Sequence, residues 1–287
     1  MEIQTNGEKV LLVVLAHPDD ESFGMGGTLA YYASQGVQVH LICATLGEAG
    51  TVDPELLQGF NSVAELRESE LRCAAKNLGL AEVHLLGYRD SGMPGSPDNL
   101  NPQALIVQPI DQVAAEIAAF IRKLHPQVVI TFDPIGGYKH PDHIAIHRAT
   151  VKAFQLAGDP ALQDDLPPYQ PAKLYYHVFP KRMFKIYLRL AQLFGRDPRH
   201  FGRNKDIDML SLVKEGDFPV HARINYRRVD EQRADAFGCH VSQLPGGPPN
   251  RGRMRWLNYV SGLNDTFMRA FPAPEPGLRE KDLFTGI

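Results

Sequence analysis

The chain of 287 residues contains three cysteines and one tryptophan. It has no apolar run approaching the ~18 residues that a bilayer-spanning helix needs. Cys43, Cys73 and Cys239 are odd in number and widely separated, with neither metal-binding nor disulfide spacing, so reduced thiols are expected. The opening MEIQTNGEK is polar, and the apolar run behind it meets charge too soon for a signal peptide. A cytoplasmic protein is the expectation. An excess of basic residues is also missing: 30 Lys and Arg against 33 Asp and Glu leave a formal charge of -3, which argues against nucleic acid as the main partner. Solenoid repeats and low-complexity tracts are absent as well.

What is present is an alternation of short apolar runs with longer periodic segments. VLLVVLA (10–16) is continuous rather than alternating, the pattern of a strand buried on both faces. GGTLAYYASQG reads as a helix closed by Gly36, and VQVHLICAT (37–45) as a second strand. In 61–80 the spacing places Leu71, Ala74, Ala75 and Leu78 on one helical face. EVHLLG follows as a third strand, then a helix ending near His125, the strand QVVITFD (127–133) and a helix within 140–158. Beyond 158 the pattern loosens into KLYYHVF (173–179), a basic amphipathic segment, a last strand in FPVHARINY, a last helix before HVSQ and an irregular proline-rich tail. The fold class predicted is α/β, a Rossmann-like, mostly parallel sheet with helices on both faces and an elaborated C-terminal region. Residues 1–287 read as one domain, with 159–219 as an insertion in it. Ligands of such sheets bind at the carboxyl ends of the strands.

Two of those ends carry nearly the same tetrapeptide, His17-Pro18-Asp19-Asp20 and His140-Pro141-Asp142-His143. A residue before proline is pushed into extended geometry, and proline suits the first turn of a helix. Each tetrapeptide therefore reads as a strand-to-helix corner whose first and fourth residues converge. Helix capping by an aspartate would explain one such corner. Two corners at parallel-strand exits, each with a further ligand-type residue, point instead to a divalent metal with an open position. The spacing alone leaves open which of His17, Asp19, Asp20, His140 and His143 bind it.

AHPDDE near the N-terminus, HPDH in mid-chain and HVSQ (240–243) together resemble the PIG-L/LmbE family of zinc-dependent de-N-acetylases. The resemblance spans roughly 10–157 and resumes at 240. It implies His17, Asp20 and His143 as ligands of Zn2+, with Fe2+ as the other metal to consider, and Asp19 as general base for a metal-activated water. It further implies that His140 stands near the developing oxyanion as an imidazolium oriented by Asp142, with Tyr138 polarising the carbonyl. Arg67 and Asp90 fall where relatives contact sugar hydroxyls. The implied reaction is removal of an N-acetyl group from an N-acetylglucosamine-bearing small molecule.

Three rivals stand beside it: an amidase acting on a mycothiol-like thiol conjugate, a nucleotide-binding module suggested by GMGG (24–27), and a non-catalytic metal-binding protein with an intact site and a closed pocket. His240 and Gln243 are open between substrate contact and helix-end structure. His84 and His125 read as structural, and His147 as surface or support. The basic stretch 181–205 fits a helix packing on the domain or on a second copy of the chain better than a membrane-surface helix.

Overall fold

The computed structural model describes residues 8–162, 164–179, 188, 218–244 and 262–287. A strand that is apolar on both faces needs neighbours at both edges and layers on both faces. β1 (Val10–Leu15), buried throughout, accordingly takes the middle of the sheet. β2 (Gln38–Thr45) and β3 (Glu82–Tyr88) extend it in parallel on one side. β4 (Val128–Phe132) and β5 (Lys173–His177) do so on the other. With β6 (Ala222–Asn225) and β7 (Asn264–Phe271) the order is β3-β2-β1-β4-β5-β7-β6, and β7 is antiparallel to both its neighbours. The α/β expectation holds, and the strand ends agree with the sequence reading to within a residue or two, β6 excepted.

One strand was not foreseen. β7 covers NDTFMRAF, whose apolar residues neither alternate cleanly nor run continuously. Its hydrogen-bond ladder comes from β5 and β6, which are distant in the chain, so tertiary pairing rather than local pattern makes it a strand. β6 is therefore neither the last strand nor an inner one. The proposed amphipathic stretch 181–205 lies outside the described residues except for Leu188, as does most of 159–219.

Among the described residues the helices in chain order are α1 (Asp20–Gly24), α2 (Gly26–Ser34), α3 (Val63–Leu78), α4 (Ile110–Leu124), α5 (Gly136–Lys139), α6 (Pro141–Leu156) and α7 (Asp230–Cys239). α3 starts where the Ser62 hydroxyl accepts the Glu65 N–H at 3.1 Å, and it stops at Gly79, whose φ of 73° favours glycine. It buries the face read from the sequence, Leu71, Ala74, Ala75 and Leu78. GMGG is no phosphate loop: the three glycines end α1 and open α2. A Cβ on Gly27 would stand 2.2 Å from the Tyr226 ring, so that glycine exists to let the α2 backbone approach an aromatic side chain. This removes the sequence basis for a nucleotide module.

The expectation of reduced thiols is corrected. Cys73 on α3 and Cys239 at the end of α7 form a disulfide across 166 residues of chain, while Cys43 is free and buried. No local spacing could signal this pair, because the packing of α3 on α7 is what brings the two positions together. The cysteine-based argument for a reducing compartment falls with it. What remains is that no helix among the described residues is long and apolar enough to cross a membrane. Cys73 is exposed, so a thiol reductant can reach the bond. Dithiothreitol should lower the stability of the wild type by about 2–4 kcal/mol and leave Cys73→Ser unaffected, as read by thermal melts.

A second packing feature should respond to pH. Asp265 on β7 accepts the Thr28 N–H at 2.7 Å and the Thr28 hydroxyl at 2.8 Å, joining α2 to the antiparallel edge. Burial pushes its carboxyl up to about 6, against the pull of those two donors. A raised folded-state value means the fold favours the protonated acid. The stability it contributes is complete below pH ~4 and is lost as pH rises through ~6, a loss of order 3 kcal/mol. Asp265→Asn should flatten that slope in denaturant titrations at pH 4.5 and 7.

Candidate active site

The chain leaves β1 for β2 and β3 on one side and returns as β4 on the other, so β1 and β4 flank a topological switch point. Both tetrapeptides sit at its carboxyl edge. At the second, His140 is extended (φ -63°, ψ 132°) and its Nδ1 accepts the Asp142 N–H at 3.2 Å, while Pro141 opens α6. The cap is the histidine, not an aspartate. At the first corner the His17 N–H is 2.8 Å from Asp20 Oδ2, and Asp19 makes no side-chain cap.

Three donors meet there. His17 Nδ1 lies 3.2 Å from His143 Nε2, His143 Nε2 lies 3.2 Å from Asp20 Oδ1, and His17 Nδ1 lies 3.6 Å from Asp20 Oδ2. Ligands ~2.0–2.2 Å from a tetrahedral zinc stand ~3.3–3.6 Å apart, so these residues fit a shared divalent cation. The far nitrogen of each imidazole is also held. His143 Nδ1 donates to the Gly136 carbonyl at 3.2 Å, and His17 Nε2 faces Asp142 at 3.1 Å and Asp90 at 3.5 Å. Those contacts leave the inner lone pairs aimed at the common point. His17, His143, Asp90 and Asp142 are buried, and the Asp20 side chain is 9% exposed. Burial works against charge on His17, yet Asp90, Asp142 and Asp20 outweigh it and hold its value well above normal.

Asp19 stands beside the triangle with its side chain 17% exposed, and Arg67 Nη2 donates to its Oδ2 at 3.0 Å. Burial pushes this carboxyl up to about 6, opposed by the Arg67 charge. Its backbone is unusual: φ is 118° and ψ -29°, in the left-handed half of conformational space that an aspartate seldom adopts. Arg67 is itself buried and donates to the Pro18 carbonyl and, at 3.1 Å, to the Gly47 carbonyl. Gly47 must be glycine, since a Cβ there would fall 1.8 Å from Arg67 Nη1.

The expected pairing of Asp142 with the His140 ring is corrected. The Asp142 carboxylate faces His17 and accepts the Ser91 N–H at 2.9 Å and the Ser91 hydroxyl, whereas only its backbone N–H reaches His140. Burial pushes His140 well below the usual histidine value, and the positive charge of His17 and His143 adds to the effect. An imidazolium is therefore disfavoured. Because Nδ1 accepts a hydrogen bond, the neutral ring carries its proton on Nε2 and remains a donor. Tyr138 packs edge-on to His143 at 4.9 Å between ring centroids, and burial keeps its phenol protonated.

These groups open into a cavity of about 550 Å³ whose lining includes Phe23, Met93, Tyr138, His177, Phe179 and Gln243. Arg67 and Asp90 also border it, but Asp90 is already engaged by the N–H of Gly92 at 2.8 Å and by His17. His240 is fully buried against Glu21 and is absent from the lining, whereas Gln243 reaches it. His84 pairs with His40 at 3.2 Å near the amino ends of β2 and β3, His125 caps α4, and His147 holds the Phe132 carbonyl at 2.8 Å. His177 was missed by sequence reasoning. It ends β5, burial pulls it down to about 4, and its only signal was its place at the carboxyl end of a parallel strand. Ser91, the residue after Asp90, was missed as well.

The family described as PIG-L, GlcNAc-PI de-N-acetylase, matches residues 12–154. The chain is 42% identical over 298 residues to the 1D-myo-inositol 2-acetamido-2-deoxy-alpha-D-glucopyranoside deacetylase of Streptomyces avermitilis, covering 98% of each protein. It is 37% identical over 246 residues to the deacetylase of the same name from Thermobifida fusca, covering 83% of this chain and 84% of the relative. Among solved structures, the N,N'-diacetylchitobiose deacetylase of Pyrococcus horikoshii superimposes with a TM-score of 0.62 at 21% identity, over 94% of this chain and 87% of that one. The 4-carboxy-2-hydroxymuconate hydratase GalB of Pseudomonas putida does so at 0.60 and 16% identity, over 94% and 99%. The fold thus carries both a deacetylase and a hydratase, and chemistry has to be argued from the site.

Proposed function

Since the chain belongs to the PIG-L de-N-acetylase family, we propose that it hydrolyses the acetamide of an N-acetylglucosamine-bearing small molecule, with a GlcNAc-inositol as the first substrate to try. Residues 1–287 act as one catalytic domain in this reading, with 159–219 as its elaboration. The observation that carries it is the His17–Asp20–His143 triangle with a carboxylate, Asp19, beside it, all lining one cavity.

His17, Asp20 and His143 would hold the metal, and zinc is the ion we propose. When bound, such an ion supplies Lewis acidity and lowers the pKa of a coordinated water towards ~7. The chain's own groups do the rest. Asp19 takes a proton from the water attacking the acetamide carbon and returns it to the nitrogen as the C–N bond breaks, releasing acetate and a free amine. Arg67 fixes that carboxylate through one oxygen and leaves the other open. The Nε2–H of His140 and the Tyr138 hydroxyl donate to the acetamide oxygen as it gains negative charge. Asp142 and Ser91 act at one remove by fixing His17.

Acetate release, read against appearance of the primary amine, tests the assignment on a GlcNAc-inositol, diacetylchitobiose and free N-acetylglucosamine. Equimolar acetate and amine are expected. Cleavage of a thiol conjugate to a mercapturate, with no acetate from any of the three, would transfer the site to the amidase reading.

A further inference from the structure

The mechanism leaves unused a buried ion pair directly behind the proposed base. Glu21 and His240 are both fully excluded from solvent, 219 residues apart, with His240 Nε2 2.7 Å from Glu21 Oε1. The other oxygen, Oε2, accepts the backbone N–H of Asp19 at 3.0 Å, and the Ser22 hydroxyl donates to Oε1 at 2.6 Å. That N–H belongs to the residue with φ 118°. We propose that Glu21 and His240 are positioning residues for the deacetylation reaction: the pair holds the Asp19 backbone in its left-handed conformation and so points the Asp19 carboxylate beside the metal triangle. The inference rests on the function proposed above.

A left-handed aspartate costs of order 1–3 kcal/mol and persists only where its surroundings over-determine it. Arg67 grips Asp19 from the carboxylate side and Glu21 from the amide side. A carboxylate buried this completely needs a partner, and His240 provides it. His240 is in turn fixed from two directions. Cys239, the preceding residue, is bonded to Cys73 on α3, and Ser242 donates through N–H and hydroxyl to Glu70 on α3, each at 2.7 Å. The HVSQ element therefore acts from behind the corner, and at His240 it does so without touching the cavity.

Glu21→Gln preserves shape but offers one acceptor oxygen where Asp19, His240 and Ser22 present three donors. His240→Ala removes the partner, and His240→Gln restores an N–H near the same place. With one metal ion per chain retained, Glu21→Gln and His240→Ala should each lower kcat about 10–100-fold with KM changed less than about threefold, and His240→Gln should recover most of the loss. The direct readout is amide hydrogen exchange at Asp19, slow in the wild type and at least about tenfold faster in Glu21→Gln and His240→Ala. Unchanged protection of that amide in either folded variant overturns the proposal whatever the turnover, and so does a loss of kcat that merely follows loss of metal. Should His240→Ala fail to fold, the volume-matched Glu21→Gln decides alone. If the wild type releases no acetate while the Asp19 amide still responds, the positioning holds and the functional reading is what fails.

Discussion

Asp19→Asn should retain one metal ion per chain and lose about 10²–10⁴-fold in kcat, the range for removing a positioned acid–base group. Metal retention is expected because Asp19 takes no part in the triangle of His17, Asp20 and His143. Geometry should survive too, since an asparagine oxygen can accept from Arg67 Nη2 as Oδ2 does now at 3.0 Å, and the backbone N–H keeps Glu21. What the amide lacks is a site that takes up a proton from water and gives it to an amine. The check is metal content by mass spectrometry alongside steady-state kinetics. Turnover within tenfold of wild type at full occupancy would remove Asp19 from the role of base. Loss of metal would place it among the ligands.

His143→Ala carries the larger expected effect on binding. Its Nε2 is the one atom within 3.2 Å of both other ligand groups, and its ring stacks on Phe132 with centroids 3.9 Å apart. Truncation should abolish stoichiometric metal and turnover together. It would also leave Asp20 facing Asp19 without the His143 ring, which together with His17 holds its carboxyl well below the normal range. Metal withdrawal from the wild type should have a related signature. An ion bound at 1,000 times its Kd adds about 4 kcal/mol to the folded state, so a chelator should lower the thermal midpoint of the wild type and zinc should restore it. Neither should move His143→Ala. A wild type whose melting ignores both reagents, with activity intact, would refute the metal reading.

The tetrapeptides were legible because each records a local event. An apolar strand, and proline at a helix start behind an extended histidine, are short-range effects; the structure has the strands at 10–15 and 128–132 and the full corner at 140–143, whereas at 17–20 the helix starts two residues later, at Asp20. The helical face of 63–78 was legible for the same reason. The partners of the site residues were not. Asp142 was expected against His140 and lies against His17, because neighbours in sequence at a helix start project to different sides. Arg67 was expected to meet substrate; it borders the cavity, and its bonds to Gly47, Pro18 and Asp19 could not be read from the sequence. His177 gave no signal beyond its place at a strand end, and that meant little until β5 was placed beside β4.

By itself the sequence determined the elements, the parallel sheet and the two corners rich in ligand groups, since these follow from periodicity and backbone sterics over a few residues. Only the tertiary structure decided that β1 and β4 are adjacent, that β7 inserts between β5 and β6, that Cys73 meets Cys239 and that Glu21 meets His240. Each of those contacts joins positions more than a hundred residues apart or depends on such a joining. Chain composition constrains them weakly, because burial favours any close packing, and the particular pairing is chosen by the whole core at once.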